Sequence, residues 1–268
     1  MFIINKLRKI ILKVKHSIKN KAYSKSTTFF HNDVFLVEFP KSGITWLIFL
    51  IGNINLLLSK MNIKITFYNH HQFVADIHQL RGNRIDSKII PFPPYRFIKS
   101  HEKYNKEYNF VVYLMRNPFD VMVSYYRFMK YLGYNSDFIN FVKDKRYGIT
   151  SWVEHVDSWL ETQDDAQSFM LLKYENLKKN PKSEIEKIYN NLGIDVNNKI
   201  YQQAIKYSNF DNMKISEKYY RDTNPRYKMI FVRKGAINSK EDIMTEEIYN
   251  YIKMRAKNIL EKYYPEYL

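Results

Sequence analysis

The chain is 268 residues long and contains no cysteine, which excludes a disulfide scaffold, a thiolate zinc site and thiol catalysis. Apolar residues make up 45% of it and charged residues 26%, so we expect a globular protein rather than a disordered one. The formal net charge of +16 favours an anionic partner, such as a small anionic ligand, a nucleic acid or a membrane surface.

The first 27 residues differ in composition from the rest of the chain. They contain eight Lys or Arg residues, and the first acidic residue is Asp33. Apolar residues would share one stripe of a helix, and charges interrupt every apolar run, which excludes a signal-peptide core and a transmembrane span. We predict a basic amphipathic segment over 1–27 and one domain over 28–268 in a cytoplasmic protein. Residues 1–25 are a candidate for peripheral contact with the inner face of a membrane, and the alternative is a helix that docks on its own domain or a frayed terminus.

Beyond residue 28, strand-like and helix-like segments alternate. In chain order the sequence predicts a strand at 34–39, a buried helix at 44–58, strands at 97–100 and 110–115, helices at 120–131 and 151–160, a strand at 169–173, and helices at 182–192 and 245–263. This alternation predicts an α/β fold with a central parallel sheet flanked by helices. The stretches 60–95, 131–150 and 211–231 lack clear periodicity, and we expect them to form walls and lids of a site beyond the carboxyl ends of the strands.

A short loop, F-P-K-S-G-I-T-W-L at 39–47, joins the first predicted strand to the first predicted helix. A strand, a tight turn and a helix N-terminus direct backbone N–H groups and a positive dipole to one point, where an anion is the natural ligand. Lys41 adds a full charge, and Ser42 and Thr45 add hydroxyl donors. The triphosphate-binding pattern G-x-x-x-x-G-K-[ST] is not matched, because its opening glycine is missing.

The ends of the other predicted strands indicate what kind of anion this loop holds. They read K-S-H at 99–101, R-N at 116–117 and K-Y-E at 173–175, so cations, a histidine and hydroxyls prevail and Glu175 is the only acid. Magnesium-dependent phosphoryl transfer requires a carboxylate near a strand end to hold the metal. The sequence therefore favours an anion that is bound without a metal.

These motifs together resemble the PAPS-dependent sulfotransferase family of the cytosolic type, which uses 3′-phosphoadenosine 5′-phosphosulfate (PAPS) as its sulfuryl donor. The resemblance lies in P-K-S-G-I-T-W (40–46), K-S-H (99–101), R-N-P-F-D-V-M-V-S-Y-Y (116–126), S-N-F (208–210) and R-K-G (233–235). It also includes the segments 147–159 and 173–181, and it covers roughly residues 34–240. The layout is closer to microbial members than to animal ones. The resemblance implies a three-layer, P-loop-like fold and transfer of a sulfuryl group, with release of 3′,5′-bisphosphoadenosine (PAP).

The resemblance also implies the catalytic residues. His101 would be the general base that takes the proton of the acceptor, and Lys41 would stabilise the charge that grows on the leaving phosphate. Lys99 would assist at the reacting sulfate. The residues that would hold the 5′-phosphosulfate are Lys41, Ser42, Gly43, Ile44 and Thr45. Ile44 stands where the family usually has Thr or Asn, so it would contribute its backbone N–H alone.

A second group of residues would hold the rest of the donor. The resemblance assigns the 3′-phosphate to Arg116, Ser124, Arg233, Lys234 and Gly235, since arginine grips phosphate with two parallel hydrogen bonds and glycine allows the main chain to approach closely. It assigns the adenine to aromatic rings and a nearby hydroxyl, namely Trp46, Tyr174, Phe210 and Ser208.

The acceptor is less well defined by the sequence. The resemblance implies an acceptor hydroxyl or amine, on a small molecule or a glycan, and no nucleic-acid partner. The basic N-terminal segment favours a glycan or a lipid-linked acceptor. Aromatic residues line up after Arg116 and fit either sugar rings or a phenol: Tyr125, Tyr126, Phe128, Tyr131 and Tyr134. Because the sequence after R-K-G departs from that of the animal enzymes, the oligomeric state stays open.

Other interpretations of the same residues remain. A P-loop nucleotide kinase would require the missing glycine and metal carboxylate, and a basic membrane- or nucleic-acid-binding protein would carry the site only as a vestige. Trp152, His155 and Trp159 share one helical face, which indicates packing. No regular spacing brings His70, His71, Asp76 and His78 together, so we predict no metal site.

Overall fold

The computed structural model describes residues 29–77, 92, 94–224, 230–232 and 243–268. Its centre is a sheet of five parallel strands in the order β2-β3-β1-β4-β5. The strands are β1 (Asp33–Glu38), β2 (Val74–Asp76), β3 (Arg96–Ser100), β4 (Phe110–Met115) and β5 (Ser168–Lys173).

Helices cover both faces of this sheet, which gives the molecule three layers. They are α1 (Ile44–Leu58), α2 (His70–Phe73), α3 (Pro118–Tyr131), α4 (Phe138–Lys143), α5 (Ile149–Leu160), α6 (Tyr174–Lys179), α7 (Pro181–Asn191), α8 (Asn198–Tyr207), α9 (Phe210–Thr223), α10 (Glu246–Arg255) and α11 (Lys257–Tyr263). Short 3₁₀ turns follow at Gln163–Asp165 and Pro265–Tyr267.

The central strand β1 shows why the sheet lies between two helical layers. All six of its residues are buried, as expected for a parallel strand that is covered on both faces. Val34 and Leu36 pack on the side of α1, α7 and α8, whereas Phe35 and Val37 pack with α3, α5 and α10. Successive side chains of a strand point to opposite faces, so one apolar run builds both cores.

The main predicted strands and helices are present, and some boundaries need correction. The stretches without clear periodicity contain α2, β2, α4 and α9. Helices α6 and α8 were not predicted either. Elements of three to six residues are too short to display a period in the sequence. Helix α9 shows no clear apolar stripe, because it buries only Met213 and the charged residue Glu217. The helix predicted at 245–263 is two helices that meet at Ala256.

Several predictions fall outside the described residues. They include the basic segment 1–27, His78, and the R-K-G motif with Arg233, Lys234 and Gly235. In the part of the chain that the structure describes, no helix is both long and apolar enough to cross a membrane.

Candidate active site

A cavity of about 710 Å³ opens at the carboxyl edge of the sheet. The strands end together there, because Val37 is in register with Ser100 and Met115 with Lys173. Loops that follow adjacent parallel strands therefore converge on one place, which is the usual ligand site of such sheets. The volume is within the range of small-molecule pockets.

The loop between β1 and α1 forms one wall of this cavity. Both the backbone N–H and the hydroxyl of Ser42 donate to the carbonyl oxygen of Phe39, at 3.2 and 2.8 Å, which closes the turn. Lys41 and Gly43 have positive φ values of 78° and 115°. The turn directs the start of α1 into the cavity, and Ile44, Thr45 and Lys41 line it.

The ammonium group of Lys41 lies between two aromatic rings. Its Nζ is 4.7 Å from the ring centre of Phe128 on α3 and 4.6 Å from that of Phe231. The two rings are 5.9 Å apart. Rings at this distance attract a cation through their faces, so they hold the lysine side chain extended into the cavity.

His101 follows β3 and faces the same cavity. Its Nδ1 lies 3.1 Å from the backbone carbonyl oxygen of Glu38. Because a carbonyl oxygen only accepts, Nδ1 carries the proton and Nε2 keeps its lone pair. The neutral tautomer that results is the one a general base requires.

Helix α5 fixes the segment that carries His101. The Nε2–H of His155 donates to the carbonyl oxygen of His101 at 3.2 Å, and the hydroxyl of Tyr113 is 2.8 Å from His155 Nδ1. Trp159 donates from its indole N–H to the carbonyl oxygen of Glu102. The face of α5 that was predicted to pack is buried, and it positions the candidate base through these bonds.

Lys99 lines the cavity two residues before His101, and its ammonium group pairs with a neighbouring strand. Nζ is 3.2 Å from Oδ2 of Asp76, which ends β2 and is in register with Lys99. Of the three candidate catalytic residues, Lys99 alone has an acidic partner at this distance. A role at the reacting sulfate would use an ammonium that is already ion-paired.

Arg116 enters the cavity from the end of β4. Its guanidinium lies 4.4 Å from the ring centre of Tyr174 and 3.1 Å from Oδ2 of Asp120. The turn behind it is held by Glu175, whose Oε1 accepts from the backbone N–H and the side-chain amide of Asn117. Glu175, the acid found at a strand end in the sequence, therefore has a structural role.

The aromatic residues expected around the adenine also line the cavity. The indole of Trp46 meets the ring of Tyr174 edge to face at 6.1 Å, and Phe210 also lines the cavity. Ser208 is fully buried, with its hydroxyl accepting from Asn53 and its carbonyl oxygen accepting from the Trp46 indole N–H at 2.9 Å. The Ser208 carbonyl oxygen thus helps to hold the indole of Trp46 in place through this hydrogen bond.

Comparison with known proteins shows the family of this chain. The family model described as the sulfotransferase domain matches residues 31–264. The chain belongs to the sulfotransferase family. Among its relatives, it is 26% identical over 236 residues to Sulfotransferase 1C2 of Rattus norvegicus, covering 80% of this chain and 78% of that one. It is 32% identical over 201 residues to the 3-beta-hydroxysteroid sulfotransferase of Cavia porcellus, covering 69% of this chain and 67% of that one.

Solved structures confirm the fold. The crystal structure of mouse sulfotransferase SULT7A1 complexed with PAP superimposes with a TM-score of 0.62 at 23% identity, covering 89% of this chain and 90% of that one. The prediction of an α/β, three-layer, P-loop-like fold is confirmed by this likeness and by the parallel five-stranded sheet.

Most of the predicted site residues of this sulfotransferase surround one cavity. Those that line it are Lys41, Gly43, Ile44, Thr45, Trp46, Lys99, His101, Arg116, Ser124, Tyr174 and Phe210. Ser42 and Ser208 lie behind its wall, so direct contact of their side chains with a donor stays a prediction. Within the described ranges, no group of three or more His, Cys, Asp or Glu side chains is arranged to hold a metal ion.

Burial shifts the pKa values of three residues at the centre of the candidate site. Burial, together with the Lys99 ammonium, lowers the pKa of His101 to about 3, so the imidazole is neutral at physiological pH. Burial also lowers the pKa of Lys41 to about 8, against the opposing effect of the Glu38 charge. Burial raises the pKa of Glu38 to about 7.

Two acidic residues of the site were missed in the sequence. Glu38 ends β1 and lines the cavity, and Glu217 on α9 accepts from the backbone N–H groups of Phe231 and Val232 at 2.5 and 3.1 Å. Glu217 thus anchors the chain immediately before R-K-G. Glu38 could have been noticed as a charge at the inner end of an apolar strand, whereas the partner of Glu217 lies in another segment.

Gly43 is a position in the loop where any side chain would be strained. A Cβ atom there would lie 2.5 Å from the ring of Tyr174, and its φ of 115° disfavours any side chain. We expect Gly43→Ala to lower the free energy of unfolding by about 1–3 kcal/mol and to weaken nucleotide binding, because Tyr174 must move. Thermal unfolding and calorimetric titration with PAP measure the two effects.

Gly133 offers a matched control for this substitution. It also has a positive φ, 96°, but a Cβ atom there would meet nothing within 4 Å. Gly133→Ala should therefore show the backbone cost alone and bind PAP as the wild type does. Equal PAP affinity in the two variants would contradict the expectation that a Cβ atom at residue 43 weakens binding by displacing Tyr174.

Proposed function

We propose that this sulfotransferase moves a sulfuryl group from PAPS to a hydroxyl or amine of a small, ring-bearing acceptor. The observation that carries the proposal is the convergence of Lys41, His101 and Arg116 on one cavity, next to an anion-binding loop. Two of these are cations and the third is a neutral imidazole with a free lone pair. This set suits a multiply charged donor and a proton-bearing acceptor.

The chemistry can be assigned to these residues in order. The acceptor oxygen or nitrogen attacks sulfur, and its proton passes to Nε2 of His101. The bond between sulfur and the bridging oxygen breaks, and that oxygen keeps the electron pair as part of the phosphate of PAP. Lys41 lies at the loop expected to hold this phosphate, so its charge would act most strongly in the transition state.

Two observations support PAPS as the donor. Arg116 presents its guanidinium beside Tyr174, so a phosphate and an adjacent aromatic base could be held side by side. The related mouse structure has PAP as its ligand. We extend that ligand to this chain as part of the proposal, with Arg233, Lys234 and Gly235 completing the 3′-phosphate site.

The acceptor side of the cavity is aromatic. Tyr125, Phe128 and Tyr131 of α3 line it together with Phe231, and a relative is named for a hydroxysteroid. Tyr126 and Tyr134 instead pack against α4. Flat apolar walls favour a phenol, a steroid or a sugar ring, whose hydroxyl would reach His101. Glycan and lipid-linked acceptors stay within this proposal as members of the ring-bearing class.

A thermal-shift titration with PAP tests the donor assignment. We expect PAP at about 100 times its Kd to raise Tm by about 5–10 °C, since binding to the native state alone stabilises it. Stabilisation by magnesium ATP and none by PAP would favour a nucleotide kinase. Polyanion binding that falls steeply with salt, again without a PAP effect, would favour a nucleic-acid-binding protein. Transfer of labelled sulfate from PAPS to a panel of phenols, steroids, amines and glycans then identifies the acceptor class.

A further inference from the structure

Glu38 is a buried acid at the centre of the candidate site, and the chemistry proposed above does not use it. Its side chain is 3% exposed, and it belongs to the last residue of β1. Oε2 accepts a hydrogen bond of 2.7 Å from the backbone N–H of Ile44, the first residue of α1. A carboxyl group thus sits inside the loop that is expected to hold the phosphosulfate.

At this position the Glu38 carboxyl group and a bound phosphosulfate would compete for the backbone N–H of Ile44. The Ile44 N–H belongs to the helix N-terminus whose dipole and amides suit an anion. The Ile44 side chain supplies no donor of its own. A charged Glu38 and a phosphosulfate would also repel each other across a few ångströms in a region of low dielectric constant. A donor can therefore occupy the loop only if the carboxyl group gives up this amide and its charge.

We propose that Glu38 is a donor-binding residue that acts as a neutral carboxylic acid. On donor binding its carboxylate takes up one proton from solvent and releases the Ile44 N–H to the anion. The resulting O–H then donates a hydrogen bond to a phosphosulfate oxygen, a contact that a carboxylate could not make. This inference rests on the proposed function, since it concerns the same PAPS site.

The groups around Glu38 are consistent with a proton being exchanged there. The Lys41 and Lys99 ammonium groups favour its charged form, and His101 Nδ1, 3.9 Å from Oε1, belongs to a neutral ring. Tyr113 of β4 also interacts with it. Burial outweighs the two lysines and raises the pKa of Glu38 to about 7. An added anion nearby would raise that pKa further, so the neutral form would prevail in the complex.

The test is proton uptake on binding of PAPS in the absence of an acceptor. Calorimetry at pH 7.5 in buffers with different ionisation enthalpies measures the number of protons taken up. We expect Glu38 to take up between about half and one proton. The affinity of the wild type for PAPS should fall by a factor that approaches about tenfold per pH unit above pH 7. Glu38→Gln, which keeps an acceptor for the Ile44 N–H, should lose the part of this dependence that lies between pH 7 and 8 and keep the part above pH 8 that belongs to Lys41. It should bind PAPS more tightly than the wild type at pH 8.

Infrared difference spectra identify the group that gains the proton, because Lys41 also titrates near pH 8. At pH 8, PAPS should produce the C=O band of a neutral carboxyl group in the wild type and not in Glu38→Gln. Glu184→Gln is the matched control, since Glu184 is also a buried glutamate but lies on α7 outside the cavity. It should keep the band and the pH dependence of the wild type.

The outcomes separate this inference from the proposed function. If the folded wild type binds neither PAPS nor PAP at any pH, the proposed function fails. If PAPS binds but the wild type shows no neutral carboxyl band at pH 8, the function stands and the inference is overturned. This second result depends on the wild type alone, so it holds even where Glu38→Gln does not fold.

Discussion

Replacing His101 by alanine is expected to lower kcat by about 10²–10⁴-fold, which is the usual contribution of a general base. PAP binding should change little, because the residues expected to contact the nucleotide lie on the β1–α1 loop, at Arg116 and at Tyr174. The physical reason is the tautomer, since the bond from Nδ1 to the Glu38 carbonyl oxygen leaves Nε2 as the proton acceptor. Single-turnover transfer of labelled sulfate and calorimetry with PAP measure the two quantities separately.

The pH dependence of this base follows from its lowered pKa. With a pKa of about 3, His101 is already neutral throughout pH 5–9, so protonation of this residue should produce no acid limb in the rate profile of that range. His31→Ala, at an exposed histidine outside the cavity, is the control and should keep full activity. Undiminished sulfate transfer by His101→Ala would remove His101 from the role of base, and lost PAP affinity would reassign it to donor binding.

The local parts of this site were predictable from the sequence because the chain itself brings them together. Helix α1 starts at Ile44 and ends at Leu58, as its nearly continuous apolar run predicted. The sequence predicted that His101 and Arg116 lie near the loop, because each follows a strand and parallel strands end at the same edge of a sheet. Their roles came from the family resemblance.

What the sequence could not reveal depends on contacts between distant segments and on the direction of side chains. The ring of Phe231 lies at Lys41, and Glu217 of α9, distant from both in the sequence, accepts a hydrogen bond from the Phe231 backbone N–H. Ser42 was expected to face the anion, but its hydroxyl turns back to Phe39. The acid next to the loop proved to be Glu38, which ends a buried strand whose four middle residues are apolar.

Replacing Lys41 by alanine is expected to lower kcat by about 10²–10³-fold, as the loss of one preorganised donor to a developing charge does. The effect should exceed that on the KM for PAPS, because charge on the bridging oxygen grows as the bond to sulfur breaks. Lys41→Arg keeps the positive charge but cannot place it at the same point between Phe128 and Phe231, so we expect partial activity. Initial rates with labelled PAPS measure both variants, and Lys64→Ala, at an exposed lysine outside the cavity, is the control.

The pH profile provides an independent test of Lys41, and its sign follows from the direction of the shift. Burial lowers the pKa of this ammonium group to about 8, so the charge is present below pH 8 and is lost above it. The kcat/KM of the wild type for PAPS, which reports the free enzyme, should therefore fall above pH 8. The kcat should fall at a higher pH, because a bound anion stabilises the charged form.

Glu38 also titrates in this pH region, so the pH profiles are best compared in the Glu38→Gln background. There the fall in kcat/KM above pH 8 that is due to Lys41 should remain. Adding Lys41→Arg should move this fall to higher pH. An alkaline limb at the same pH with arginine at this position would mean that another group controls it.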